Sequence, residues 1–165
     1  MNIIFIMGVS GSGKTTIGQL LAKEKDMPFF DADDFHPIAN VEKMKAGNPL
    51  NDADRAPWLD RLNELAKTEL EKKGAVITCS ALKASYRERL EEGLANPPKW
   101  IFLNGQFETI LKRINQREGH YMPASLLQSQ FDALELPKDA FAVDIEQTPQ
   151  EILGVILAKI KKEAS

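Results

Sequence analysis

The chain has 165 residues, 43% hydrophobic and 27% charged, with 21 basic against 24 acidic side chains and a formal net charge of −3. That length suits one domain with its own core, and the even spread of charge excludes a nucleic-acid or membrane footprint. A single cysteine, Cys79, excludes an internal disulfide. No apolar stretch is long enough to span a membrane, and Met1 runs straight into a core strand with no room for a signal peptide, so the expected setting is the cytoplasm.

In chain order, Ile3-Ile4-Phe5-Ile6-Met7 reads as a short buried strand. Gly8-Val9-Ser10-Gly11-Ser12-Gly13-Lys14-Thr15 follows at once and satisfies G-x-x-x-x-G-K-[ST], the loop that wraps the phosphates of a nucleoside triphosphate. Its glycines free the backbone N–H groups to turn inward. Lys14 is expected on the β/γ-phosphates, Thr15 on Mg²⁺, and Thr16 beside them at the start of a helix over about 14–25. Further strands are predicted at Pro28–Phe30, Ala75–Cys79, Trp100–Leu103 and Ala140–Ile145. Helical periodicity is read between them, near 55–72, 83–94, 107–117, 125–134 and 149–162, the last opening on Thr148-Pro149. Such alternation predicts a parallel sheet covered on both faces.

Two stretches do not fit a minimal alternating sheet. Residues 31–54 are polar and punctuated by Pro37, Gly47 and Pro49, and 118–125 form a short polar bridge. Long irregular segments in a compact domain tend to carry function. Their places suit an acceptor-binding insertion, about 31–58, and a lid, about 117–125.

A P-loop alone does not distinguish a kinase from a switch or a motor. No N-K-x-D guanine reader is present, and the third strand ends Ile77-Thr78-Cys79-Ser80 with no carboxylate, which disfavours GTPases and motor ATPases. Asp144 ends a strand expected at the sheet edge and reads as a polar residue at its exit. Phosphoryl transfer needs a carboxylate near the acceptor hydroxyl and cations around the moving group. Asp31-Ala32-Asp33-Asp34 lies beyond the carboxyl end of the second strand, where an open α/β sheet faces its ligand. Asp33 is the expected base or orienting group, Asp34 a helix cap. Arg113 and Arg117, four apart on one predicted helix, suit adenine stacking and the transferring phosphoryl group respectively. Lys83 and Arg87 supply charge for an anionic acceptor. His36 reads as a partner for a substrate hydroxyl, His36 with His120 makes a poor zinc site, and Cys79 reads as a buried inert thiol.

In this order, Met7 to Lys14, Asp31-Ala-Asp-Asp-Phe-His-Pro37, Asn40-Val-Glu-Lys-Met44, Gly47 to Leu59, Cys79-Ser-Ala-Leu-Lys83 with Tyr86-Arg87, and Ser129-Gln-Phe131 with Leu134-Glu135 resemble the gluconate kinase (gluconokinase) family. The resemblance spans nearly the whole chain. It implies a P-loop kinase of three α/β/α layers, with a five-stranded parallel sheet in the order 2-3-1-4-5. It also implies phosphorylation of D-gluconate to 6-phospho-D-gluconate by Mg²⁺-ATP, and a homodimer. Lys83, Arg87 and Arg55 would then meet the gluconate carboxylate, while Asp33 and His36 bind hydroxyls. Tyr121 stands where Phe is expected after His120. Shikimate kinase is the nearest rival. A nucleotide-sensing module without transferase activity is the rival of another class.

Overall fold

The computed structural model describes residues 1–119 and 122–165. Five parallel strands form one sheet: β1 (Asn2–Met7), β2 (Phe29–Asp31), β3 (Gly74–Thr78), β4 (Lys99–Asn104) and β5 (Phe141–Asp144), in the order β2-β3-β1-β4-β5. This is the expected order, and every predicted strand is found within two residues of its predicted ends.

Alternation along β1 sends Ile4 and Ile6 to one face and Ile3, Phe5 and Met7 to the other. The first face packs on Ile17 and Leu21 of α1 (Lys14–Glu24), Ile110 of α5 (Phe107–Asn115) and Ile152 and Ile156 of α7 (Pro149–Glu163). The second packs on Trp58, Leu62 and Ala66 of α3 (Asp52–Leu70) and Leu90 of α4 (Ala84–Glu91), with Phe5 stacked on Trp100 at 4.5 Å. Helices thus cover both sides, giving the three layers. Thr148 and Glu151 form a capping box with Pro149 in the first turn of α7, as the sequence suggests.

Helix boundaries differ in three informative places. The polar stretch after β2 is not irregular: Ala32–Phe35 is a 3₁₀ turn and Ile38–Lys45 is a helix, α2. Turn-forming Asp, Asn and Pro mask a helix this short. α3 starts at Asp52, three residues before its predicted start, because Asn51 and Asp54 close a capping box around the first turn. α5 stops at Asn115, before Arg117, and the next helix, α6, covers Ala124–Ala133.

Gly18, in the middle of α1, lets that helix approach the sheet closely. A Cβ there would stand 2.6 Å from Phe29 Cε2 and 2.7 Å from Thr78 Cγ2. Gly18→Ala would raise helix propensity by about 1 kcal/mol, but overpacking against two side chains costs about 1–3 kcal/mol. We therefore expect net destabilisation, read as a lower urea midpoint with an unchanged slope. A higher midpoint would show that α1 can retreat freely from the sheet.

Candidate active site

β1 lies between β3 and β4, so the loops leaving β1, β2 and β3 converge at the carboxyl edge of the sheet. They enclose a crevice of about 630 Å³, lined by Ser10, Gly11, Gly13, Lys14, Thr15, Thr16, Asp31, Asp33, Thr78, Cys79, Ser80 and Arg117. The P-loop forms its floor. Gly13 holds φ +97° at the N-cap of α1, and Gly11 holds φ +77° where a Cβ would lie 2.5 Å from Ile114 Cγ1. Both positions require glycine. No side chain caps α1, so its first N–H groups face the crevice and offer partial positive charge to an anion.

Lys14 Nζ donates to the Gly8 carbonyl at 3.1 Å and the Val9 carbonyl at 3.0 Å. Burial lowers its pKa, opposed by the nearby Asp33, Cys79 and Asp31. Gly8 and Val9 are thus drawn toward the ammonium, and Ser12, buried behind the loop, keeps a hydroxyl without a partner. The Thr15 hydroxyl donates to Asp31 Oδ2 at 3.4 Å, while Thr16 stays exposed beside it.

The acidic quartet divides its work differently from the expectation. Asp31, not Asp34, is the cap: its Oδ1 accepts the Asp33 N–H at 3.0 Å and opens the 3₁₀ turn. Its other oxygen reaches Thr15, so one carboxylate ties the second strand to the P-loop. Asp34 points out to solvent. Sequence reasoning passed over Asp31, although an Asp at the end of a strand followed by a polar turn is a common side-chain cap. Asp33 opens into the crevice, and its carboxyl pKa is raised, first by loss of water and then by Asp31, with Lys14 pulling it back. A carboxylate poised this way takes up a proton more readily than a solvated one.

His36 stacks on Trp58 at 4.3 Å, and Trp58 Nε1 donates to the Ala32 carbonyl at 2.7 Å, pinning the 3₁₀ turn to α3. Asn40 Nδ2 lies 3.3 Å from His36 Nδ1. An amide nitrogen only donates, so Nδ1 accepts and the proton of the neutral ring sits on Nε2. Burial lowers the His36 pKa, with Asp33 and Arg55 acting on it in opposite senses, which favours this neutral form.

Cations gather where α3 meets α4. Arg55 Nη1 donates to the Tyr86 hydroxyl at 3.3 Å, and both Arg55 and Lys83 lie over the Tyr86 ring, at 5.6 and 5.5 Å from its centroid. Asp52, which sequence reasoning missed, accepts from Tyr86 at 2.5 Å and from Lys83 at 3.4 Å. One carboxylate between two cations leaves the group net positive.

Arg87 does not belong to that group, contrary to expectation. Its guanidinium is buried and donates to the carbonyls of Ala81 at 2.7 Å, Leu82 at 3.2 Å and Glu135 at 2.8 Å. Ala81 holds φ +44°, a strained value for a residue with a Cβ, so Arg87 restrains the turn that presents Lys83. Arg113 and Arg117 also part company, because α5 ends between them. Arg113 Nη2 donates to the Ile145 carbonyl at 2.8 Å beyond β5, whereas Arg117 lines the crevice. His120 and Tyr121 fall outside the described residues. Asp144 Oδ1 accepts the Glu146 N–H at the exit of the edge strand, and burial pushes the Cys79 thiol up to about 12.

A phosphate-binding loop, a desolvated carboxylate beside it and a cationic rim, set at the carboxyl edge of a 2-3-1-4-5 sheet, define a P-loop kinase of small molecules. A family model described as shikimate kinase matches residues 10–153. The chain is 45% identical to the thermosensitive gluconokinase of Escherichia coli strain K12, over 91% of this chain and 87% of that protein. It is 43% identical to a gluconokinase of Gluconobacter oxydans, over 97% and 92%. A crystal structure of a gluconokinase from Sinorhizobium meliloti 1021 superposes with a TM-score of 0.89 at 40% identity, covering 99% of this chain and 93% of that one. The chain belongs to the gluconokinase family, inside the wider group that the shikimate kinase model describes. No helix among the described residues is long and apolar enough to cross a membrane.

Arg87→Met separates a restraint from a substrate contact. Loss of a charged donor to three carbonyls should destabilise the fold by about 3 kcal/mol, measured by urea unfolding, with any rise in the KM for a sugar acid accompanying that loss of stability. Unchanged stability with a tenfold higher KM would return Arg87 to the substrate.

Proposed function

We propose that this chain transfers the γ-phosphoryl group of ATP to the 6-hydroxyl of D-gluconate, giving ADP and 6-phospho-D-gluconate. The observation that carries the reading is Asp33, a carboxylate of raised pKa set against the P-loop lysine, with the net positive Arg55, Lys83 and Tyr86 group on the neighbouring helices. Family membership supports gluconate as the acceptor.

In this reading the 6-hydroxyl oxygen forms its bond to phosphorus as the bond to the β,γ-bridging oxygen breaks. The hydroxyl proton passes to Asp33, and the electron pair leaves with ADP. Lys14 exchanges the Gly8 and Val9 carbonyls for phosphate oxygens, joined by the N–H groups at the start of α1. The planar fork of Arg117 meets the moving phosphoryl group, and Arg113, held at the Ile145 carbonyl, flanks the adenine. At the far end of the acceptor, Lys83 and Arg55 pair with the gluconate carboxylate, and the fixed Nε2–H of His36 donates to a hydroxyl.

The residues fit Mg²⁺. Thr15 and Asp31 place two hard oxygens 3.4 Å apart, and the buried Thr78 hydroxyl, which lines the same crevice, has no partner among the described residues. Mg²⁺ takes one or two protein oxygens, keeps waters and adds substrate phosphates. When bound it neutralises charge on the β- and γ-oxygens. A cytoplasmic homodimer belongs to the same reading on family resemblance alone.

A coupled ADP-release assay over gluconate, other sugar acids, shikimate and nucleoside monophosphates tests the assignment. We expect gluconate to be preferred by at least a hundredfold in kcat/KM. Preference for shikimate, or ATP binding with no acceptor-dependent ADP release, overturns it. The pH profile tests Asp33 separately. A base must be ionised to accept a proton, so activity falls as pH drops through its pKa, and the raised value puts this acid limb above the ordinary carboxylate range. Asp31→Asn removes a like charge and should move the limb to lower pH. Asp33→Asn should lose on the order of a hundredfold in kcat while keeping its affinity for ATP.

A further inference from the structure

Gln130, on α6, holds the apex of the P-loop from 120 residues away in sequence. Its Oε1 accepts the Ser10 N–H at 2.8 Å, and its Nε2 donates to the Ser10 hydroxyl at 2.9 Å. One amide thus makes a reciprocal pair with one residue, and fixing both ends of an amide leaves it a single orientation. Five residues on, just past the C-terminal end of the same helix, Glu135 is fastened to the turn that presents Lys83. The Glu135 N–H donates to the Leu82 carbonyl at 2.8 Å, the Ala84 N–H donates to Glu135 Oε1 at 3.3 Å, and Arg87 donates to the Glu135 carbonyl at 2.8 Å. Phe131 packs on Phe107 between the two attachments, and Leu127 is fully buried. The last turn of α6 and the residues just past it therefore bridge the P-loop and the acceptor-side turn directly.

We infer that Gln130 is a positioning residue that couples the P-loop to the acceptor-side turn at 80–87. The turn is strained at Ala81, and although Arg87 braces it from within, its outside attachment is to Glu135 past the end of α6. The P-loop apex has no helix of its own on the Ser10 side, so its height above the crevice is set by what Ser10 bonds. Occupation of the P-loop by triphosphate therefore orders the turn through α6 and brings Lys83 into register. The coupling is a free energy shared by two distinct sites through a named mechanical element. It deepens the proposed kinase reading but is read out on the nucleotide side alone.

The test is amide hydrogen exchange of the wild-type chain and of Gln130→Met, which keeps length and packing but loses both bonds. Each is compared with and without Mg²⁺ and the non-hydrolysable triphosphate AMPPNP. In the wild type we expect AMPPNP to protect residues 10–16 and also residues 80–87 by tenfold or more. In Gln130→Met the first protection should remain and the second should fall below threefold. Gln130→Glu, whose carboxylate accepts from both the Ser10 N–H and the Ser10 hydroxyl, should restore protection of 80–87, an outcome that mere packing of α6 does not give. Persisting protection at 80–87 in Gln130→Met, or none there in the wild type, overturns the inference. Neither result depends on gluconate being the acceptor, which the ADP-release assay decides.

Discussion

Charge held out of bulk water at one edge of a sheet is the constraint on which the rest depends. Lys14 and Asp33 sit close enough to pull on each other's protonation, with the Asp31 charge adding to the rise at Asp33, and the crevice strips part of the water from both. Such a group is tolerable only if backbone dipoles and counter-charges replace the lost water. The parallel order supplies the dipoles, because every strand ends on the same side and the helix after β1 turns its unpaired N–H groups toward the same space. An antiparallel arrangement of the same strands would scatter these loops over two edges.

The acceptor side is built on a different economy. Its cations are half-buried and neutralised in part by the exposed Asp52, which holds the Tyr86 hydroxyl and Lys83 together. Exposed pairs of this kind contribute about 1 kcal/mol or less to stability. Their value lies in orientation: Asp52 and the Tyr86 ring hold the two cations gathered at one place. Precision comes instead from the buried Arg87, which supports a strained turn without touching substrate space. An arginine four residues past a lysine is as consistent with a binding pair as with a prop, and only burial tells them apart.

Much of the fold was legible because its signals are short-range. The apolar run before the P-loop, the β-rich bursts and the Thr148-Pro149 helix start each specify local structure without help from distant residues. The site was legible where backbone chemistry dictates residue type, as at Gly11, Gly13 and Lys14. It was less so where tertiary contacts decide. Arg113 and Arg117 share a face only if the helix continues, and it stops at Asn115. The 3₁₀ turn after β2 assigns Asp31 to capping through a bond to the Asp33 N–H, which composition does not reveal. Gln130 stands inside the Ser129-Gln-Phe131 resemblance, but nothing in the sequence says what it bonds, and its bonds to Ser10 exist only once α6 lies over the P-loop.

Cys79 lies against the same crevice, walled by the charges that define it, yet its thiol is pushed up to about 12. At neutral pH roughly one molecule in 10⁵ then carries the reactive thiolate. Alkylating reagents and mild oxidants accordingly find almost nothing to attack while the chain is folded. Because the chain has no other cysteine, any sulfur that becomes modified reports on this one position, 2% exposed at the end of β3 where it lines the crevice. Its slow labelling is a site-specific probe of how tightly that wall of the crevice stays closed, set into the protein by its own sequence.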